Sequence, residues 1–155
     1  RDKMAAPRYQ EFAPDRIPEV DAADGVLVKV IAGVVAGVRG PIEQPATDPL
    51  YLDVALQPGA TWTHALPDGH NAFAYVFEGA AEIGEGEEAR SLKTHELAVL
   101  GGGERLVVRA VDAQARLIVV AGRPLGEPVA RHGPFVMNTR EQLMQAFVDF
   151  QQGRF

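Results

Sequence analysis

The sequence contains no cysteine and a single serine, Ser91, in 155 residues. Without cysteine the chain has no disulfide framework, no thiolate nucleophile and no cysteine-based zinc site. Ser91 lacks the glycines of a nucleophile elbow and follows an acidic stretch, so the sequence indicates a solvated turn residue there. No apolar run approaches the roughly 18 residues of a membrane span, which predicts a protein without membrane contact.

Lysine is also scarce, since only three of the fifteen cationic residues are lysines and the rest are arginines. The 21 acidic residues outnumber the cations and give a net charge of −6. This balance provides no broad electrostatic footprint for nucleic acid, so we expect no direct nucleic-acid binding. The arginine-rich composition favours a bacterial source, and we expect a cytoplasmic location.

The apolar residues, 46% of the chain, occur mostly in short runs separated by glycine- and proline-containing turns. Runs of this length rich in Val, Leu, Ile and aromatic residues are typical of strands. The runs are 26–32, 34–38, 50–56, 61–66, 72–77, 80–83, 97–100, 106–111 and 116–121. Many short strands in one domain-sized chain predict an all-β fold of two packed antiparallel sheets, a sandwich or barrel.

One helix is predicted at the C-terminus, over residues 138–153. Asn138 or Thr139 suits the N-cap, and Glu141 or Gln142 follows three residues later, as in a capping box. Gly153 stands where a helix C′ glycine is expected. Residues 1–24 are rich in Pro, Ala, Asp and Glu without sustained periodicity, so we interpret them as an extended arm.

Three histidines, His64, His70 and His95, are the candidate metal ligands. Imidazoles clustered with carboxylates in a barrel would suit iron, nickel, manganese or zinc. No His-x-His pair is present, and the 67–69 turn between His64 and His70 breaks the strand alternation that would place both on one face. We interpret them as turn or surface imidazoles and keep a three-histidine metal site as the alternative.

Two longer segments carry a resemblance to a known family. Residues 66–79 read LPDGHNAFAYVFEG, and residues 132–141 read HGPFVMNTRE. Residues 30–33, 49–54 and 149–155 belong to the same pattern. In their order along the chain, these five segments resemble the C-terminal half of proteins of the pirin family.

The resemblance implies a cupin-type jelly-roll barrel over residues 25–137, followed by the C-terminal helix. Pirins are bicupins, so residues 1–24 would be an interdomain linker and this chain would be a piece of a longer protein. The expected partner is the N-terminal cupin domain of the same protein, which binds iron or another divalent metal. Family members are assigned quercetin 2,3-dioxygenase activity, and eukaryotic members act as nuclear transcriptional co-regulators.

The cupin metal motif can be placed on this sequence by its glycines. Anchoring its first half at Gly79 puts the glutamate position at Ala72. The two histidine positions then fall on Leu66 and Asp68, or on Ala65 and Pro67. In the second half, Gly103 places the outer glycine at His95 and the histidine ligand at Leu106. No family ligand carries over, so we expect no metal site, no cofactor and no catalytic residue in this chain.

The sequence therefore favours a structural role, in which this barrel covers and shapes the metal site of the other half. An autonomous enzyme that uses the three histidines and a partner-binding module in transcription are the alternatives. The tail would dock on the missing domain, or the isolated chain would self-associate. The residues assigned to interdomain or tail docking are His132, Phe135, Asn138, Leu143, Phe147 and Phe150.

Overall fold

The computed structural model describes residues 3–6 and 8–154. Arg1, Asp2 and Pro7 of the predicted arm, and Phe155 of the C-terminal motif, lie outside the described residues. The strands are β1 (Glu19–Ala23), β2 (Val26–Ala32), β3 (Val34–Val35), β4 (Val38–Arg39), β5 (Leu50–Leu56), β6 (Thr61–Ala65), β7 (Asn71–Glu78), β8 (Ala80–Ile83), β9 (Arg90–Lys93), β10 (Leu97–Val99), β11 (Arg105–Arg109), β12 (Ala115–Gly122), β13 (Ala130–His132) and β14 (Phe135–Met137). Helix α1 spans Arg140–Gln151.

Residues 10–124 form a barrel-like unit of two main sheets. The larger sheet has the order β1-β2-β5-β12-β7-β10, and the smaller has the order β6-β11-β8-β9. Neighbouring strands in both sheets are antiparallel. Both sheets contribute side chains to one hydrophobic core. The prediction of an all-β fold with antiparallel sheets and one C-terminal helix is confirmed.

Strict alternation of side chains explains why these segments become strands. In β5, Leu52 and Val54 are fully buried, whereas Tyr51 and Asp53, the residues on either side of Leu52, face outward. The period of two sends every second residue into the core. Each fully buried Val or Leu stabilises the fold by roughly 1.5–3 kcal/mol. The core therefore lies between the sheets, and polar side chains such as that of Asp53 lie on the outer faces.

Four strands form where the sequence indicated none: β1, β9, β13 and β14. Residues 19–23 of the predicted arm form β1, which pairs with β2, and Lys29 contacts Glu19 across that pair at 3.1 Å. Ser91 lies on the exposed side of β9, at an edge of the smaller sheet, and not in a turn. Strands β1 and β9 lie at sheet edges, where charged residues are common. Their charged residues interrupt the alternation of apolar and polar residues by which a strand is recognised in a sequence.

Gly79 joins β7 to β8 and is required by the backbone. Its φ is +71°, a left-handed conformation that L residues rarely adopt. A Cβ atom at this position would overlap the carbonyl oxygen of Gln114. The glycine on which the metal motif was anchored is therefore needed for the turn itself.

Residues 125–154 group with residues 3–6 and 8–9 as a second compact unit. In it, the β13–β14 hairpin and α1 share a small apolar cluster that includes Met137 and Ala146. The hairpin thus groups with the helix, although the sequence placed residues up to 137 in the barrel. No helix in the described part of the chain is long and apolar enough to cross a membrane.

Helix α1 begins with the predicted capping box. Thr139 is the N-cap and accepts a hydrogen bond from the backbone N–H of Gln142, whose side chain accepts one from the N-cap backbone. Gly153 follows the C-cap with φ +66°. These two devices satisfy backbone groups that a helix end leaves without partners.

Replacing Gly79 with alanine should be markedly more destabilising than the same change at Gly59. Gly59 also has a left-handed φ, +78°, but open space surrounds its missing Cβ. Gly59→Ala should cost about 1–2 kcal/mol from backbone strain alone. Gly79→Ala should cost roughly 1–3 kcal/mol more, because the new methyl group displaces the backbone at Gln114. Urea unfolding of both variants measures the difference, and equal losses would contradict the overlap.

Candidate functional site

The backbone frame of a cupin metal motif is preserved in the barrel. Gly79 forms the turn that ends its first half. His95, at the outer glycine position of the second half, has φ +71°. Histidine tolerates this left-handed region better than most non-glycine residues. The chain thus retains a glycine-like bend where the motif requires one.

The ligand positions on this frame are apolar. Ala72 and Leu106 are buried in the core, and Leu66 packs against it. In the other alignment Ala65 and Pro67 are exposed, so Leu66 is the residue with the inward orientation that a ligand needs. Aliphatic side chains have no lone pair for a metal ion.

The residues present therefore do not fit a metal ion. Asp68, at the other histidine position, supplies a single exposed carboxylate. Among residues 3–6 and 8–154, no three His, Cys, Asp or Glu side chains lie close enough together to hold a metal ion.

A cavity of about 280 Å³ adjoins two of the ligand positions. Leu66 and Leu106 line it, together with Ile83 and Leu100. The exposed glycines 101–103 lie at the same cavity. The charged residues in its lining, Glu88, Arg90 and Arg105, are exposed, whereas the ligand positions themselves contribute only hydrophobic contact.

His64 belongs to the barrel wall. It lies on β6 opposite Leu106 of β11, and its ring stacks on the buried Trp62 with centroids 5.1 Å apart. Burial lowers the pKa of His64, because the charged imidazolium loses solvation. His64 is therefore a packing residue that favours its neutral form.

His70 is held by the loop that precedes β5. Its Nε2 lies 3.0 Å from the carbonyl oxygen of Asp48 and 3.5 Å from the Asp48 carboxylate. Its side chain is only 2% exposed, and its Nδ1 is buried without a hydrogen-bond partner. Arg123 also contacts Asp48, at 3.4 Å. His70 thus ties together segments distant in sequence.

His95 is exposed, and its Nδ1 lies 3.1 Å from the Tyr75 hydroxyl oxygen. The three candidate histidines thus have three separate sets of neighbours: Trp62, the Asp48 loop and Tyr75. The sequence carried no signal for the contact between His70 and Asp48, since the two residues are joined only by the folding of a loop.

Most of the predicted docking residues in the second unit pack on one another. The Phe135 ring centroid lies 4.8 Å from that of Phe147 and 5.7 Å from that of Phe150. His132 meets Phe147 edge-on at 5.5 Å, and Leu143 is buried in the same cluster. These side chains stabilise the hairpin and helix themselves. Phe150 is 63% exposed, whereas Phe135 is only 8% exposed.

Asn138 has a local structural role. Its side-chain amide donates hydrogen bonds to the Pro128 carbonyl oxygen at 2.8 Å and to the Glu127 carboxylate at 3.1 Å. These bonds attach the segment before β13 to the start of α1. Docking on another domain remains a prediction for this residue and for the aromatic cluster.

Two facing antiparallel sheets with these motif turns define a cupin barrel. The crystal structure of a quercetin 2,3-dioxygenase from Acinetobacter baumannii matches this fold with a TM-score of 0.82. The match has 30% sequence identity and covers 96% of this chain and 50% of that chain.

Residues 51–155 match the pirin C-terminal cupin domain, and the chain belongs to the pirin family. It is 50% identical to a pirin-like protein from Caulobacter vibrioides, over 100% of this chain and 55% of that protein. It is 39% identical to human pirin, over 99% of this chain and 52% of that protein. The chain thus spans about half the length of these curated relatives.

The burial of His64 predicts a pH dependence of stability. Because its pKa is lowered in the folded state, the unfolded chain binds the proton more readily. The contribution is complete above the unfolded value of 6.5 and is lost as the pH falls below it. His64→Gln should therefore show a smaller drop in melting temperature between pH 7.5 and pH 5.5 than the parent chain.

Thr63→Gln is the matched control, since Thr63 is the exposed neighbour on the same strand and does not titrate. Thermal unfolding at both pH values should give it the same drop as the parent. An unchanged drop in His64→Gln would contradict the assigned burial effect.

Proposed function

We propose that this chain is the metal-free cupin half of a longer pirin and covers the metal site of a second cupin domain. The observation that carries the proposal is that Leu66, Ala72 and Leu106 occupy ligand positions on a preserved motif backbone. The length of the relatives supports it, since this chain corresponds to about half of each. Residues 1–24 would form the connection between the halves.

The whole protein is proposed to be a quercetin 2,3-dioxygenase-like oxygenase that uses iron or another divalent metal. The support is the likeness to the Acinetobacter enzyme, at 30% identity over 96% of this chain. Oxygenation of an organic substrate requires a metal or cofactor to react with dioxygen. Because the ligand positions of this barrel are aliphatic, the metal is assigned to the other half, and this chain supplies structure around it.

The isolated chain should contain less than about a tenth of an equivalent of tightly bound metal, because it lacks a preorganised ligand set. Elemental analysis after purification measures this. Quercetin should not be consumed when Fe²⁺, Mn²⁺, Ni²⁺ or Cu²⁺ is added. Stoichiometric metal that disappears in His64→Ala, His70→Ala would contradict the proposal and favour the three-histidine enzyme.

A variant with restored ligands is the positive control for this measurement. It combines Leu66→His, Asp68→His, Ala72→Glu and Leu106→His. If the backbone frame is that of a metal site, the folded variant should bind Ni²⁺ or Zn²⁺ stoichiometrically. A variant that keeps the parent's circular dichroism and binds neither ion would show that these are not ligand positions.

The tail is proposed to dock on the missing domain, and to cause self-association of the isolated chain. On α1, Met144 is 67% exposed and Phe150 is 63% exposed, an apolar area that favours a partner. Light scattering should show a species larger than a monomer, which Met144→Lys, Phe150→Lys shifts toward monomer. Gln151→Lys, on the exposed end of the same helix, should leave the mass unchanged. A clean monomer in the parent chain would contradict this part of the proposal.

A further inference from the structure

The edge strand β10 differs from the other three edge strands of the two main sheets. It is the last strand of the six-stranded sheet, and among the described residues it pairs only with β7. Its three residues, Leu97, Ala98 and Val99, are all apolar. Leu97 is 51% exposed and Val99 is 81% exposed. An uncharged edge with exposed apolar side chains favours pairing with another strand.

The backbone of β10 has hydrogen-bonding capacity on its open side. Ala98 lies opposite Ala74 of β7, and on either side of it the Glu96 carbonyl accepts from Val76 and the Leu100 N–H donates to Ala72. In an antiparallel ladder, alternate residues bond to the same neighbour. The N–H and C=O groups of the two intervening residues, Leu97 and Val99, therefore point away from β7.

Charged or polar residues protect the other three edges. In the six-stranded sheet, β1 carries Glu19 and Asp21. In the smaller sheet, β9 carries Arg90 and Lys93, and β6 exposes two threonines. Charges on an edge strand oppose pairing with a further strand. Of the four edges, β10 alone combines open backbone groups with a wholly apolar sequence.

An apolar groove adjoins this edge on the outer face of the sheet. It has a volume of about 470 Å³ and no charged residue in its lining. Its lining includes the apolar side chains of Phe73, Leu97, Val99, Val120 and Pro49. Leu97 pairs with Tyr75 and Val99 with Phe73, so both side chains share the outer face with the groove. A bound strand would place alternate apolar side chains there.

We propose that β10 receives an extended, uncharged segment with alternating apolar side chains, donated by the other half of the full-length pirin. The open N–H and C=O groups require a partner in strand conformation, and the groove requires it to be apolar. The relatives carry about as much polypeptide again as this chain, which supplies the donor. This inference rests on the proposed pairing of two halves and specifies one of its contacts.

Hydrogen exchange tests the proposal by comparing the isolated chain with the full-length Caulobacter relative. In the isolated chain, the amides of Leu97 and Val99 should exchange rapidly, whereas the amide of Ala98 should be protected. In the full-length Caulobacter relative, the amides aligned with Leu97 and Val99 should be at least about tenfold more protected, since added strand bonds must open first. Equal protection factors in the two proteins would overturn the proposal.

Lysine variants of the isolated chain separate this donor from a second copy. Leu97→Lys, Val99→Lys should leave the oligomeric mass unchanged in light scattering, because the donor is absent from this chain. Ser91→Lys on the exposed side of β9 is the matched edge control. If the β10 variant alone dissociates an oligomer, the occupant is a second copy and the proposal fails. Neither hydrogen exchange nor light scattering depends on the metal content of the chain. A wrong prediction of metal content can therefore be distinguished from a wrong assignment of the strand that pairs with β10.

Discussion

The barrel depends on a core of apolar side chains packed between its two sheets. Within residues 3–6 and 8–154, no polar or charged residue is buried, and Leu52, Val54 and Val119 are among the core residues that have no solvent exposure. Each such side chain contributes roughly 1.5–3 kcal/mol. A charged or ligating group inside would lose solvation that no neighbour restores. The same packing that stabilises the two sheets therefore fills the core with hydrocarbon, and no charged residue in the described part of the chain is buried there.

A metal motif contains two kinds of residue, and this chain separates them. Gly79 and the bend at His95 serve the backbone, and both retain left-handed φ angles. The ligand positions serve only the metal, and here Leu66 and Leu106 add to the core instead. Replacing the glycine would strain the turn, whereas an aliphatic residue at a ligand position packs into the core without strain. Turn geometry can therefore outlast the chemistry with which it is associated.

Sequence patterns predicted the central strands because both of their neighbours are strands and one face is buried. The 50–56 and 80–83 runs coincide with β5 and β8. They did not reveal β1 or β9, where Glu19 and Arg90 mark edges and weaken the alternation. The histidines were less predictable, since His70 finds Asp48 through a loop whose path no local pattern encodes. The C-terminal helix could be predicted because its capping box is formed by residues close together in the sequence. Its aromatic contacts with Phe135 of β14 could not, since they depend on the fold of the β13–β14 hairpin.

The outer face of the larger sheet shows how a barrel without interior chemistry can still be specific. Near β5, Arg116 bonds to Asp53 at 2.8 Å and lies 5.0 Å above the Phe77 ring. Such a partly buried, paired arrangement disfavours apolar partners, because one Asp53 oxygen is already buried without a hydrogen-bond partner. At β10 the same face is uncharged. The proposed partner strand would thus favour the β10 side of the sheet, because covering the Arg116–Asp53 pair would cost solvation, and this contrast would provide specificity.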